Sequence, residues 1–314
     1  MVRYLGRRLF SNLLTVWLIA TLTFGIMHTI PGDPFTSEKT LPEAVLLNLK
    51  EKYHLNDPLP KQYITYLGNV ARWDLGPSFA QKGRSVNEII NQGFPVSARV
   101  GGAAILVALL IGIPLGALAA LFRDKWPDHF VTVLTTIGIS QPGFIIATLL
   151  QYFVAVKLKL LPVALWSDQW KVPGDGWKFA VLPVIALSFF PLAYFARLVR
   201  SNMLEVLNQD YMRTARAKGL PRLTVIIKHG LRNALLSVIT VLAPLAAGIL
   251  TGSLVIERIF AIPGLGKEFT TSIFNRDYTV IMGVTVFYAV LIVTFNLAVD
   301  VLYTVVDPRI QIAD

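Results

Sequence analysis

Six apolar runs constrain what this chain can fold into. They cover residues 10–30, 100–122, 130–156, 179–199, 234–256 and 280–306. Each is near the ~20 residues an α-helix needs to cross a hydrocarbon layer. No water reaches backbone groups inside such a layer, so each run must satisfy its own N–H and C=O groups as a helix. Composition agrees: 54% of residues are hydrophobic and 15% are charged, where a soluble domain carries about a quarter charged. The expected fold class is an all-α membrane protein with six transmembrane helices.

Orientation follows from the short basic loops, because Lys and Arg flanking spans stay on the cytoplasmic side. Arg3, Arg7 and Arg8 precede the first run, Arg123 and Lys125 separate the second and third, and the basic stretch 200–232 separates the fourth and fifth. All fall on one face, giving an N-in, C-in arrangement. The first run is too long for a signal-peptide core and no small-x-small cleavage site follows it, so it is read as an uncleaved helix. The chain then divides into a first transmembrane helix (1–30), an external segment (31–97) and a core transmembrane domain (98–314) that contains the basic loop 200–232.

The net charge of +10 does not point to nucleic acid, because the basic residues flank membrane runs. The chain has no cysteine, which excludes disulfides, thiol catalysis and thiolate metal sites. GLGK at 264–267 is not a phosphate loop: that motif needs Gly where Ala261 stands and Ser or Thr where Glu268 stands. No catalytic residues, cofactor or metal ligands are expected.

Within the runs, a few residues break the apolar pattern. His28 ends the first run, and 42–54 and 63–70 read as helices of the external segment. Gly112 and Gly116, four apart, allow close helix approach, as does the pair Gly248 and Gly252. Ser140-Gln141-Pro142-Gly143 interrupts the third run, since Pro removes a backbone hydrogen bond. Pro183 and Pro191 should bend the fourth. Trp166, Trp170 and Trp177 suit the headgroup level. Asn296 and Asp300 share one face of the sixth run, with Arg309 within reach of the acid. Gln141, Ser188 and Asn296 are the pathway candidates, because polar groups within spans turn away from lipid.

The basic stretch 200–232 is the longest polar segment on the inner side. With Arg197 it carries eight Lys and Arg against Glu205 and Asp210. Residues 205–218 lack Pro and Gly and are rich in helix formers, and Gly219 and Pro221 should end that helix. The prediction is a short helix, a sharp turn and a second short helix at the membrane surface. The three cations Arg213, Arg216 and Lys218 suit a solvated face as well as pairing with a partner's acids.

Thr214-Ala215 followed by Gly219 resembles the Glu-Ala-Ala loop of permease subunits in ATP-binding-cassette importers. Arg213 and Thr214 stand where that family has Glu and Ala, Leu231 matches, and Arg232 replaces a Pro. RTARAKGLP is similar to the divergent form found in the peptide and nickel branch. PGDPF, KYHLNDPLPKQYITYL and DLGPSF resemble the N-terminal region of oligopeptide or dipeptide B-type permeases, and SLVIERIFAIPGLG followed by NRDY resembles the same family. The resemblance implies a type I importer permease in a bacterial inner membrane. It also implies a second, C-type permease subunit, two cytoplasmic ATP-binding subunits, an extracytoplasmic solute-binding protein and peptide cargo. Coupling to the ATPases would run through the 205–220 helix, at Arg213, Thr214, Ala215, Arg216, Lys218 and Gly219, with Ala215 and Gly219 small enough to let the partner come close. The competing readings are a nickel or glutathione importer of the same family, an ion-coupled secondary carrier and a non-transporting scaffold.

Overall fold

The computed structural model describes residues 2–30, 51, 55–166 and 175–306, and the side chains among them except at 2–5, 175 and 299–306. Among the described residues the chain is helical, with one isolated antiparallel bridge between Pro77 and Ser85. The expected 42–54 helix, apart from Glu51, lies outside the described residues, as do Trp170, Arg309 and the side chain of Asp300.

Five helices are long and apolar enough to cross a membrane, and six spans result if one bent pair counts as a single crossing. Many of their large apolar side chains point outward, among them Leu13 at 70% and Leu110 at 73% exposure. Lipid is the solvent such side chains require.

The chain forms two compact units, Met1–Val96 with Pro263–Asp314, and Ser97–Ile262. In the first unit, α1 (Val2–Thr29) packs against α11 (Tyr278–Val306), and α2 (Leu59–Ala71) realises the helix expected over 63–70. His28 closes the end of α1, its Nδ1 2.8 Å from the Phe24 carbonyl and its Nε2 3.2 Å from Oε1 of Gln62. Leu75, Ile89, Leu265, Val280 and Val284 form the core of this unit, with α10 (Leu265–Phe274) laid across α11. Asp277 fastens it. Its buried carboxylate accepts from the Ser78 hydroxyl and from the backbone N–H groups of Phe79 and Ala80 at 3.1 Å each, and it caps α11 through Val280 N–H. A carboxylate that accepts several N–H and O–H donors can stay buried without a cationic partner.

Helix α3 (Val86–Leu121) runs from the first unit into the second. It starts well before residue 100 because the chain continues helically through Gly93 and Pro95. The second unit then holds α4 (Trp126–Ser140), α5 (Gly143–Leu150) with its π-helical extension Gln151–Lys157, α6 (Lys178–Leu207), α7 (Asp210–Ala217), α8 (Leu236–Leu250) and α9 (Leu254–Ile259). Pro183 and Pro191 lie inside α6, which stays one helix.

Gly112 and Gly116 place the α3 backbone directly on α6. A Cβ at Gly112 would sit 2.8 Å from the Leu192 carbonyl oxygen, and one at Gly116 only 2.3 Å from that of Ala196. The second small pair behaves otherwise. Gly248 has nothing within 4 Å of a built Cβ, and Gly252 lies beyond the end of α8 at φ +93°. Among the described residues, Gly248 borders a cavity and meets no second helix.

Candidate functional site

The stretch 205–218 is broken in two. Helix α6 ends at Leu207, Gln209 is extended at φ −72° and ψ 150°, and α7 starts at Asp210. The reason is local. Asn208 is a poor helix former, its side chain turns back to the Leu204 carbonyl at 2.9 Å, and Asp210 is favoured in a first turn. Glu205 therefore belongs to the end of a membrane helix, and the separate surface helix has eight residues.

Helix α7 has two faces. Met212 and Ala215, three apart, are buried against Val225, with Val206 and Leu207 alongside. Further bonds tie this helix down on both sides. Nη2 of Arg216 reaches the Leu207 carbonyl at 3.4 Å, near the end of α6. Asn233 Nδ2 donates to the Tyr211 hydroxyl at 2.9 Å, from the helical segment that leads to α8. The other face is exposed and carries Arg213, Thr214, Arg216, Ala217 and Lys218. Arg213 lies 3.6 Å from Asp210, but both side chains are largely in solvent, so this pair holds little.

Gly219 ends the helix at φ +73°, with its N–H bonded to the Arg216 carbonyl at 3.0 Å. This is the left-handed cap that glycine adopts without a Cβ penalty. The structure thus brings Arg213, Thr214, Arg216, Lys218 and Gly219 together on one exposed ledge. Ala215 is the exception: it is 6% exposed and packs inward, so its small size serves the fit of α7 to its own chain.

The third apolar run is bent by 106° between α4 and the helix beginning at Gly143. Gln141 and Pro142 are both extended, as expected for a residue before proline and a proline without an N–H. Gln141 is exposed at this break. Beside it opens a largely apolar cavity of about 380 Å³, lined by residues that include Gly143, Phe144, Phe190, Pro191, Pro244 and Gly248. Leu187, also in its wall, has a carbonyl that Pro191 cannot satisfy in the usual helical pattern. Ser188 is buried and donates to the Ile185 carbonyl at 3.0 Å, so its hydroxyl is satisfied within its own helix. Asn296 is exposed on α11, in the first unit.

Sequence reasoning missed three buried acids. Asp128, 3% exposed, is gripped by Arg200 through two bonds, one of them Nη2 to Oδ2 at 2.8 Å, and it caps the Asp124 N–H at 3.0 Å. Glu257 accepts from the Ser97 hydroxyl at 2.7 Å, and Asp277 holds the 78–80 loop. The available signal was an acid at the edge of an apolar run, which calls for a named partner.

The chain matches the family model for the binding-protein-dependent transport system inner membrane component over residues 112–312, and the N-terminal model of the same systems over 1–101. It is 50% identical to the dipeptide transport system permease protein of Bacillus subtilis, over 99% of each chain. It is 42% identical to the oligopeptide transport system permease protein of Escherichia coli K12, over 99% of this chain and all of that one. Among solved structures it shares its fold with a chain of the MetNI methionine ABC transporter in an inward-facing conformation. The TM-score is 0.57 at 18% identity, covering 70% of this chain and 96% of the other.

Proposed function

Because the chain belongs to the family of binding-protein-dependent inner membrane transport components, we propose that it is the B-type permease subunit of an ATP-driven peptide importer. Its full-length similarity to dipeptide and oligopeptide permeases supports the cargo class, and makes the nickel, glutathione and ion-coupled readings the weaker ones. It forms one half of the pathway, and a C-type permease forms the other. Two cytoplasmic ATPases bind the exposed ledge of α7, and a solute-binding protein delivers peptide on the outer side, where residues 31–97 offer the docking surface.

The observation that carries the mechanism is the two-faced helix α7. Its exposed residues are available to another protein, while Met212 and Ala215 fix it to neighbouring helical segments. Closure of the ATPases on ATP displaces α7, and the displacement passes into α6 and towards α8, which wall the cavity beside Gln141. ATP does this only by binding the closed arrangement better than the open one. Hydrolysis then resets the pair.

The test is reconstitution. ATP-driven uptake of a labelled dipeptide or oligopeptide is expected when this chain is combined with a C-type permease, both ATPases and the binding protein. It should vanish when any one is left out. Uptake by this chain alone, or uptake driven by an ion gradient without ATP, would overturn the proposal.

A further inference from the structure

Two helices of the second unit carry polar stripes that meet at one residue pair. At 100° per residue, α4 divides into three arcs. Asp128, Val131, Thr135 and Gly138 make the buried arc. Trp126, Phe130, Val133 and Ile137 make an exposed apolar arc, the one suited to lipid. Between them lies a third arc, also exposed, of His129, Thr132, Thr136 and Ser140. On α6, Tyr194, Arg197 and Ser201 fall on one face, Tyr194 half-buried and the other two exposed. Nη2 of Arg197 donates to Thr136 Oγ1 at 3.0 Å and joins the two stripes.

Helix α6 is long and apolar enough to cross a membrane, and α4 is so together with the bent segment Gly143–Lys157. A guanidinium facing hydrocarbon is costly, so such groups turn toward water or a partner. Arg197 does not lean back toward the inner end of α6. Its bond reaches Thr136, eight residues and therefore about 12 Å further along α4 than Asp128, into the apolar stretch.

The contrast with Arg200, one turn away, is informative. Arg200 is neutralised by the Asp128 carboxylate. Arg197 is held by a hydroxyl and has no acidic partner among the described residues, so its fork of donors remains open to a ligand. Thr136 is itself satisfied, donating to the Thr132 carbonyl at 2.7 Å, so it can hold the guanidinium in place. Phe190 in the cavity wall lies seven residues from Arg197 on α6, about 10 Å. An extended peptide covers that distance in about three residues.

We propose that Arg197, positioned by Thr136, takes the terminal carboxylate of the cargo within the pathway, while the cavity beside Gln141 takes an apolar side chain. This rests on the peptide-importer reading. A planar guanidinium matches a carboxylate with two parallel bonds, and every unmodified peptide carries a free carboxyl end whatever its sequence.

The absence of cysteine makes the test direct. Thr132→Cys and Ser140→Cys are introduced singly into the full complex, with partner chains stripped of reactive thiols. Modification by anionic sulfonatoethyl and cationic trimethylammonioethyl methanethiosulfonate is then timed. Both sites should react at least about tenfold faster than Val133→Cys and Ile137→Cys on the lipid arc. Adding Arg197→Gln should lower the anionic-to-cationic rate ratio about fivefold, and Arg197→Lys should restore most of it. A peptide with a free carboxyl end should slow the reaction at Ser140→Cys, and its C-terminal amide should not. Equal rates on the two arcs, a ratio indifferent to Arg197, or equal protection by acid and amide would each overturn the proposal. So would slowing by phosphatidylglycerol alone, which would place a lipid headgroup at Arg197. Failure of the wild-type complex to import any peptide would sink the importer reading instead, and would leave the charge-dependent labelling of these two stripes intact.

Discussion

Asp128 shows how much depends on a single side chain. Its carboxylate is buried, paired with Arg200 and used to cap the turn at Asp124. Breaking a fully buried pair costs about 3–5 kcal/mol, because the remaining charge is left without compensation. Arg200 keeps 30% exposure and can recover some hydration, so Asp128→Asn is expected to cost less, about 2 kcal/mol. Thermal unfolding of the purified chain in detergent should show a midpoint several degrees lower for Asp128→Asn than for wild type, with Glu205→Gln, exposed on α6, as an unaffected control. Gly219 is the second such position. A side chain at φ +73° costs about 1–2 kcal/mol, too little to prevent folding. Gly219→Trp should therefore insert into the membrane normally, yet uncouple transport by placing an indole at the end of the exposed ledge. Membrane fractionation together with peptide uptake checks both halves, and normal uptake would remove Gly219 from the coupling contact.

Among elements, the apolar helices and the break at Gln141–Pro142 were legible because bilayer thickness and proline chemistry act through local sequence. What the pattern Gly-x-x-x-Gly does was not legible, since the same spacing met opposite surroundings. Gly116 lies against the Ala196 carbonyl, and Gly248 borders open space. Gly116→Ala should thus destabilise the chain or lower its yield, because a backbone oxygen cannot move aside as the end of a flexible side chain can. Gly248→Ala should be neutral for folding or slightly stabilising, because alanine is the better helix former. Comparing the two variants by fluorescence-detected size-exclusion after a heat step separates them. Equal losses would mean that Gly248 also meets a surface. The inward turn of Ala215 escaped sequence reading for a related reason. The resemblance identified the motif, but which face of a short helix packs on its own chain depends on Val206, Leu207 and Val225. The partners of Asp128 and Asp277 were hidden because they stand 72 and 199 positions away.

At the scale of the whole transporter, helix α7 is useful only if its two faces do different work, and that division can be measured. In the proposed assembly the exposed face binds by charge and shape at a surface that water reaches. Arg213→Glu should therefore weaken co-purification of the ATPases, and less so at high salt, where the screening length shrinks to a few ångströms and both the lost attraction and the new repulsion count for less. The buried face contributes nothing to that contact. Met212→Ala leaves the ledge in place but opens a gap where α7 meets Val225 and its neighbours, loosening the seat through which a displacement must pass. Its signature should be the reverse: ATPases retained, ATP hydrolysis retained, and peptide uptake reduced about tenfold or more. A rigid packed contact transmits displacement because interiors are dense and resist compression, whereas a loosened one absorbs it. If Met212→Ala imports peptide as efficiently per ATP as wild type, the force does not pass through this packing. The coupling would then have to run through the hydrogen bonds of Tyr211 and Arg216, which Tyr211→Phe and Arg216→Met would expose by the same ratio of uptake to hydrolysis.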